Sequence, residues 1–159
     1  MKFPSTNHNH KHCIDAALQD AEAYCCKEGL RLTELRRRVL ELVWTSHKPV
    51  GAYALLEQID HRGRKAAPPT VYRSLEFLLE HHLIHRIASQ NAFVGCNHPG
   101  QAHDAQFFIC SLCGETAELD DPNIDSALSK DAQYLGFRIE RQVVEISGIC
   151  AQCAGNGVA

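Results

Sequence analysis

Residues 96–118 read Cys96-NHPGQAHDAQFFICSLCGETA-Glu118, and this stretch decides how the chain is organised. Cys96, His98, His103, Cys110, Cys113 and Glu118 within it are all candidate metal ligands. The pair Cys110-Ser-Leu-Cys113 returns near the C-terminus as Cys150-Ala-Gln-Cys153. A Cys-x-x-Cys unit folds as a tight knuckle that aims two sulfurs at one point, so two units predict one closed tetrahedral zinc site with four thiolates. Buried free thiols or a redox dithiol are the plainer alternatives, and neither explains a matched second pair. Between Cys113 and Cys150 lie 36 residues, about twice a zinc-ribbon span. A strand, a helix and a strand fit there, so the expected unit is a small α/β domain stapled at both ends.

Outward from this stretch, composition narrows the class. The chain has 159 residues, 45% of them hydrophobic, and eight cysteines. No apolar run approaches the ~18 residues that span a bilayer, and the N-terminus carries no apolar leader core. Paired cysteines without such a leader predict reduced thiols and a cytoplasmic location. Charge is uneven. Residues 1–90 carry 13 Lys/Arg against 10 Asp/Glu, whereas residues 91–159 carry 3 against 9. Only the first part is suited to face a polyanion.

Three segments are expected: a flexible His-rich tail over 1–13, a DNA-binding domain over 14–96, and a dimerisation and metal-binding domain over 97–159. The tail holds His8, His10, His12 and Cys13, a group able to capture a metal transiently. Ile14, Leu18, Ala21 and Cys25 mark one helical face, with Cys25 and Cys26 as packing residues and Gly29 as the stop. Thr33 caps a second helix whose apolar face is Leu35, Val39, Leu42 and Val43, and whose outer face carries Arg36, Arg37 and Arg38. A third helix spans 52–60, with Tyr53 in its first turn. After the basic loop His61–Lys65, Pro68-Pro69 open a fourth helix to about His81, apolar along Val71, Leu75, Leu78 and Leu79.

Strand-like runs over 83–89 and 92–96 follow. Helices closing on two short strands predict a winged helix-turn-helix, and the whole chain is of the α+β class. The first turn of the last helix then enters the major groove, with Arg73 placed there to read a guanine edge. Thr70, Tyr72 and Tyr53 are expected at phosphates or a thymine methyl, with Arg36 and Arg37 on a phosphate-facing helix. Downstream, strands over 106–110 and 115–119 precede a helix opened by Asp121-Pro122. Ile124, Leu128, Ala132 and Leu135 form its stripe, and Gly136 ends it. The run from Phe137 to Ile146 is expected as one long strand, buried on both faces or paired with a partner subunit.

His85, Cys96, His103 and Glu118 are a possible second ligand set for zinc, although His81, His82 and His98 compete for the same role. The order Arg31-Leu-Thr-x-x-Arg36, Pro68-Pro-Thr-Val-Tyr-Arg-Ser-Leu75, Phe108-Ile-Cys-Ser-Leu-Cys-Gly114 and Gly148-Ile-Cys-Ala-Gln-Cys153 resembles the ferric uptake regulator (Fur) superfamily. The resemblance runs from about residue 14 to 153. Its zinc uptake regulator (Zur) branch is the nearest match. Iron- and peroxide-sensing members carry a His-His-x-His cluster where this chain has Ala102-His-Asp-Ala-Gln-Phe107, and Cys96 also matches the zinc branch.

The resemblance implies structural zinc on Cys110, Cys113, Cys150 and Cys153, and sensing zinc on His85, Cys96, His103 and Glu118, two ions per subunit. It implies base contacts from Tyr53 and Arg73. It further implies a cytoplasmic homodimer that represses zinc-uptake genes from a palindromic double-stranded operator, with no membrane and no small-molecule substrate besides zinc. An iron- or peroxide-responsive regulator on the same scaffold is the alternative. An enzyme is not expected. Zinc deaminases place Pro directly before Cys-x-x-Cys, where this chain has Ile109, and four paired thiolates leave a metal no open position.

Overall fold

A computed structural model describes residues 10–61, 64–65, 67–101 and 103–155, with side chains described outside 60–66. The described residues divide after Gln101 into two compact units. His8 and the rest of 1–9 lie outside the described residues, as do Arg62 and Gly63 of the basic loop.

The first unit begins with α1, His10–Lys27, so helix starts four residues inside the stretch expected as a tail. Leu18, Ala21 and Cys25 are its buried positions. Gly29 takes φ +66°, and Leu30 N–H donates to Cys25 O at 2.8 Å, closing the helix with a left-handed glycine cap. Thr33 starts α2, Glu34–Val43, its hydroxyl accepting from Arg36 N–H at 3.4 Å. Leu35, Val39, Leu40, Leu42 and Val43 face inward. Next come β1 (Val50–Gly51), α3 (Ala52–Gln58) and a short hairpin of β2 (Asp60–His61) with β3 (Arg64–Lys65). Then α4, Pro68–Glu80, buries Val71, Ser74, Leu75, Phe77 and Leu78. These faces, with Leu55 and Ile59, form one core.

Two wing strands, β4 (Ile84–Ile87) and β5 (Ala92–Gly95), pair antiparallel with His85 opposite Val94. β1 adds to the free side of β5, giving a three-stranded sheet in the order β1-β5-β4. That third strand has no signal in the sequence. Two residues carry no alternation, so pairing across the chain alone creates it. Gly95 is required where it stands, because a Cβ there would overlap the indole of Trp44.

The second unit is a three-stranded sheet in the order β7-β6-β8, with β6 at Ala105–Cys110, β7 at Thr116–Leu119 and β8 at Val143–Gly148. β6 pairs antiparallel with β7 and parallel with β8, Cys110 opposite Gly148. α5, Pro122–Tyr134, is capped by Asp121, whose carboxylate accepts from Asn123 N–H at 2.9 Å. A last turn of helix, α6, covers Ala151–Gly155.

The long strand expected over 137–146 is corrected here: only Val143 onward is strand. Gly136 takes φ +65°, and Phe137 N–H donates to Ala132 O at 2.8 Å. Gln142 Nε2 then donates to Asp125 at 2.7 Å. The first part of the run is therefore spent capping and bracing α5. The apolar stripe of α5 also stays largely uncovered. Ala132 is buried, but Leu135 is 75% exposed and Phe137 67%.

Candidate functional site

The two knuckles bring four sulfurs together. β6 ends on Cys110, and Gly114 at φ +77° turns the chain so that Gly114 N–H donates to Cys110 O at 2.9 Å. β8 ends beside it, with Ser111 N–H donating to Gly148 O at 2.8 Å. Because β6 and β8 are parallel neighbours, both knuckles stand at the same end of the sheet. The ligand atoms of Cys110, Cys113, Cys150 and Cys153 all lie within 4.8 Å of one another. Cys113 and Cys150 sulfurs are 3.9 Å apart.

The electrostatics of this cluster suit a cation. Backbone N–H groups of Cys113 and Cys150 hold the Cys110 thiol down to about 6. Cys153 is pushed up to about 12, first by Cys150 and then by burial. One thiolate is thus easy to form, and further negative charge at the same point is resisted. Four soft sulfur donors gathered at one point are the donor set a divalent soft-to-borderline metal satisfies.

The second ligand set is distributed over both units. In the first, His85 lies on β4 and Cys96 directly follows β5, two positions that the antiparallel pairing draws together. Their ligand atoms are within 4.8 Å, and Cys96 is 2% exposed. Cys96 N–H donates to Leu83 O at 3.3 Å, and its sulfur accepts from His98 N–H at 3.3 Å. In the second unit, His103 Nε2 and Glu118 Oε1 stand 2.6 Å apart, with side chains 12% and 4% exposed. Each unit therefore carries a preassembled pair: nitrogen with sulfur, and nitrogen with carboxylate.

The competing histidines His81, His82 and His98 join no donor group among the described residues. His81 packs edge-on against Phe77, ring centroids 4.5 Å apart, and His98 meets Cys96 through its backbone. Burial raises the Cys25 thiol, as befits a packing residue.

On the face expected to meet DNA, Thr70, Tyr72 and Arg73 of α4 are exposed on the side opposite Val71 and Leu75. Tyr53, at the start of α3, is 80% exposed. Pro68 is the first helical residue, so Arg73 falls in the second turn rather than the first. Arg36 and Arg37 make contacts within the chain. The Arg36 guanidinium stacks 3.5 Å from the Phe77 ring centroid and donates to Arg31 O at 2.6 Å. Arg37 pairs with Glu22 at 2.8 Å and Arg38 with Glu41 at 2.7 Å. These arginines have partners inside the chain.

A third group was not assembled from the sequence. His10, Cys13 and His47 place their ligand atoms within 4.8 Å of one another. His10 and Cys13 were noted as part of a tail. Nothing in the spacing could have joined His47 to them.

The comparisons follow the same lines. A family model described as the ferric uptake regulator family matches residues 27–147. A zinc uptake regulation protein of Escherichia coli (strain K12) is 36% identical over 137 residues, 86% of this chain and 80% of the relative. A crystal structure of holo XcZur is similar with a TM-score of 0.81 at 42% identity, covering 88% of this chain and 98% of that one. A zinc uptake regulator complexed with zinc and DNA gives a TM-score of 0.84 at 33% identity, covering 92% and 98%.

Proposed function

The chain belongs to the ferric uptake regulator family, and from that premise we propose that it is a zinc-responsive, DNA-binding repressor of zinc-uptake genes. The observation that carries this reading is the donor chemistry: a four-thiolate cluster in the second unit, and two preassembled pairs, His85 with Cys96 in the first unit and His103 with Glu118 in the second. Sulfur with nitrogen and one carboxylate favours zinc over harder ions. The relatives described as zinc uptake regulators, one of them bound to zinc and DNA, support the same metal and the same partner. The iron- or peroxide-responsive alternative rests on relatives of lower identity, 20–25% against 36%, and the reading requires no catalysis.

Two zinc ions per subunit are proposed. Cys110, Cys113, Cys150 and Cys153 would hold the structural one. His85 and Cys96 from the first unit, with His103 and Glu118 from the second, would share the sensing one. Bound zinc supplies a tetrahedral cross-link, permanent at the four thiolates and exchangeable at the mixed set. The protein's own contribution is two half-sites that each hold their donors in place. Shifting a two-state population from 1:99 to 99:1 needs about 5.5 kcal/mol of preferential binding, within the ~10–16 kcal/mol of tight structural zinc sites. By linkage, operator DNA tightens sensing-site affinity by the same factor.

The reading head is α3 and α4. Arg73 would contact a base edge, with Thr70, Tyr72 and Tyr53 at the groove wall. The uncovered apolar face of the second unit, a groove of about 590 Å³ lined by Leu128, Ala132, Leu135, Phe137 and Val143, supports a homodimer. Two-fold pairing matches a palindromic operator. No helix among the described residues is long and apolar enough to cross a membrane, and the proposed place of action is the cytoplasm.

The test is fluorescence anisotropy of labelled promoter DNA from a zinc-uptake gene, with zinc and then with a mild chelator. Cys96→Ser should lose zinc-dependent binding while remaining folded by circular dichroism. Wild-type affinity in Cys96→Ser, unchanged by the chelator, would sink the sensing assignment.

A further inference from the structure

We propose that His10, Cys13 and His47 form a third metal site, confined to the DNA-reading unit, that takes an exchangeable divalent ion of zinc's class. This goes beyond the two-ion reading above and does not depend on it, since none of the three residues belongs to either set.

The donors come from two segments that are fixed independently of any ion. α1 is docked through Leu18, Ala21 and Cys25, with Cys13, Ile14 and Ala17 packed partly against the same core. That docking sets the rotation of the first turn. His10 and Cys13 are spaced i, i+3 and so share a face, both half-buried, while Lys11 and His12 are exposed. His47 sits in the turn after α2. Thr45 Oγ1 donates to Leu42 O at 2.7 Å, Ser46 Oγ donates to Lys48 O at 3.3 Å, and Lys48 N–H donates back to Ser46 Oγ at 3.2 Å. The turn is thus tied down on both sides of the histidine.

The imidazoles of His10 and His47 meet with ring centroids 4.6 Å apart at 65°. With the Cys13 sulfur, the three ligand atoms fall within 4.8 Å of one another. Zinc–nitrogen and zinc–sulfur bonds of about 2.0–2.3 Å put tetrahedral ligands roughly 3.4–3.8 Å apart. Small side-chain rotations cover the difference.

Two nitrogens and one sulfur leave a fourth position open. Cys13 also lines a cavity of about 210 Å³ with Ala16, Asp20, Trp44 and Cys96, so a water ligand has room there. Three protein ligands, half-buried, describe a site that loads and unloads, unlike the closed four-thiolate cluster. Loading would pin the first turn of α1 to the α2 turn, and so stiffen the unit that carries α4. A chance contact of two histidines at a helix start would do none of this.

The experiment uses the full chain and zinc alone. Wild type, Cys13→Ser, His47→Ala and His12→Ala are dialysed at saturating zinc, and metal is counted per subunit. Hydrogen exchange of amides 10–17 is followed with and without the ion. The expected result is one ion fewer in both Cys13→Ser and His47→Ala, with loss of the zinc-dependent protection that wild type and His12→Ala show. Equal stoichiometry in all four proteins would overturn the site. So would loss in His12→Ala, which would make the binding a property of loose histidines. Loss in His47→Ala but not Cys13→Ser would overturn the three-ligand assignment. Cobalt substitution gives a second readout that needs no count: the thiolate-to-cobalt band should weaken in Cys13→Ser relative to wild type.

Discussion

Gly95 shows how much one missing atom does. It ends β5, one residue before Cys96, and the face of Trp44 occupies the space a side chain would need. Gly95→Val should therefore force the indole or the strand to move. Overpacking of this kind costs about 1–3 kcal/mol, and the urea midpoint should fall accordingly. Zinc-dependent DNA binding should weaken as well, because Cys96 shares the displaced backbone. A midpoint equal to wild type would show that the indole moves away at no cost. At this scale the cysteines were the legible part. A Cys-x-x-Cys pair declares its geometry within four residues. Arg36 and Arg37 were not legible, because the Phe77 ring and Glu22 that engage them lie far away in the chain. A run of three arginines looks the same in sequence whether it faces phosphate or its own protein.

α4 concentrates the reading chemistry into one element. Two prolines open it without needing amide partners, Val71, Ser74, Leu75 and Leu78 seat it, and Tyr72 and Arg73 are left outside. Glu76 and Glu80 follow on the exposed side further along, so repulsion from phosphate should tilt the helix to lead with its N-terminal half. Arg73→Ala is expected to cost about 1–3 kcal/mol of discrimination at one base position and to leave the salt dependence nearly unchanged. Competition between operator variants at two salt concentrations distinguishes this from phosphate anchoring, which would weaken all sequences alike and lower the salt slope by about 1. Elements with a long apolar period were legible from the chain, α2 and α4 above all. β1 was not, since two residues carry no period. The 137–142 segment misled for a different reason. It has β-forming residues, but Phe137 N–H and the Gln142 side chain serve α5 instead.

At the scale of the molecule, the proposed function gives metal two separable jobs. The second unit has a small sheet, α5 and the short α6, with much apolar surface uncovered, so its core alone is thin and zinc on the four thiolates should contribute to its folding. The first unit has its own continuous core, with Leu55, Val39 and Leu78 among its fully buried residues, and should stand without metal. Mild chelation is expected to abolish operator binding while far-ultraviolet circular dichroism stays nearly unchanged. Cys110→Ser should go further and unfold the second unit, leaving the helices of the first. If binding and secondary structure were lost together at the first chelation step, the division into a structural and a sensing ion would fall. The convergence of the four cysteines was legible from their spacing, but not the third ligand cluster, which needs α1 to be helical at His10 and packed beside the turn that holds His47.

Trp44 is the only tryptophan in the chain, and its indole packs against Gly95 beside the cavity that Cys13 and Cys96 also line. The molecule therefore carries a built-in lamp beside two sulfurs that would each lose a proton on loading. Its ultraviolet emission should brighten, dim or shift as nearby thiol becomes metal thiolate, so occupancy can be watched in unlabelled protein, in real time, with DNA present.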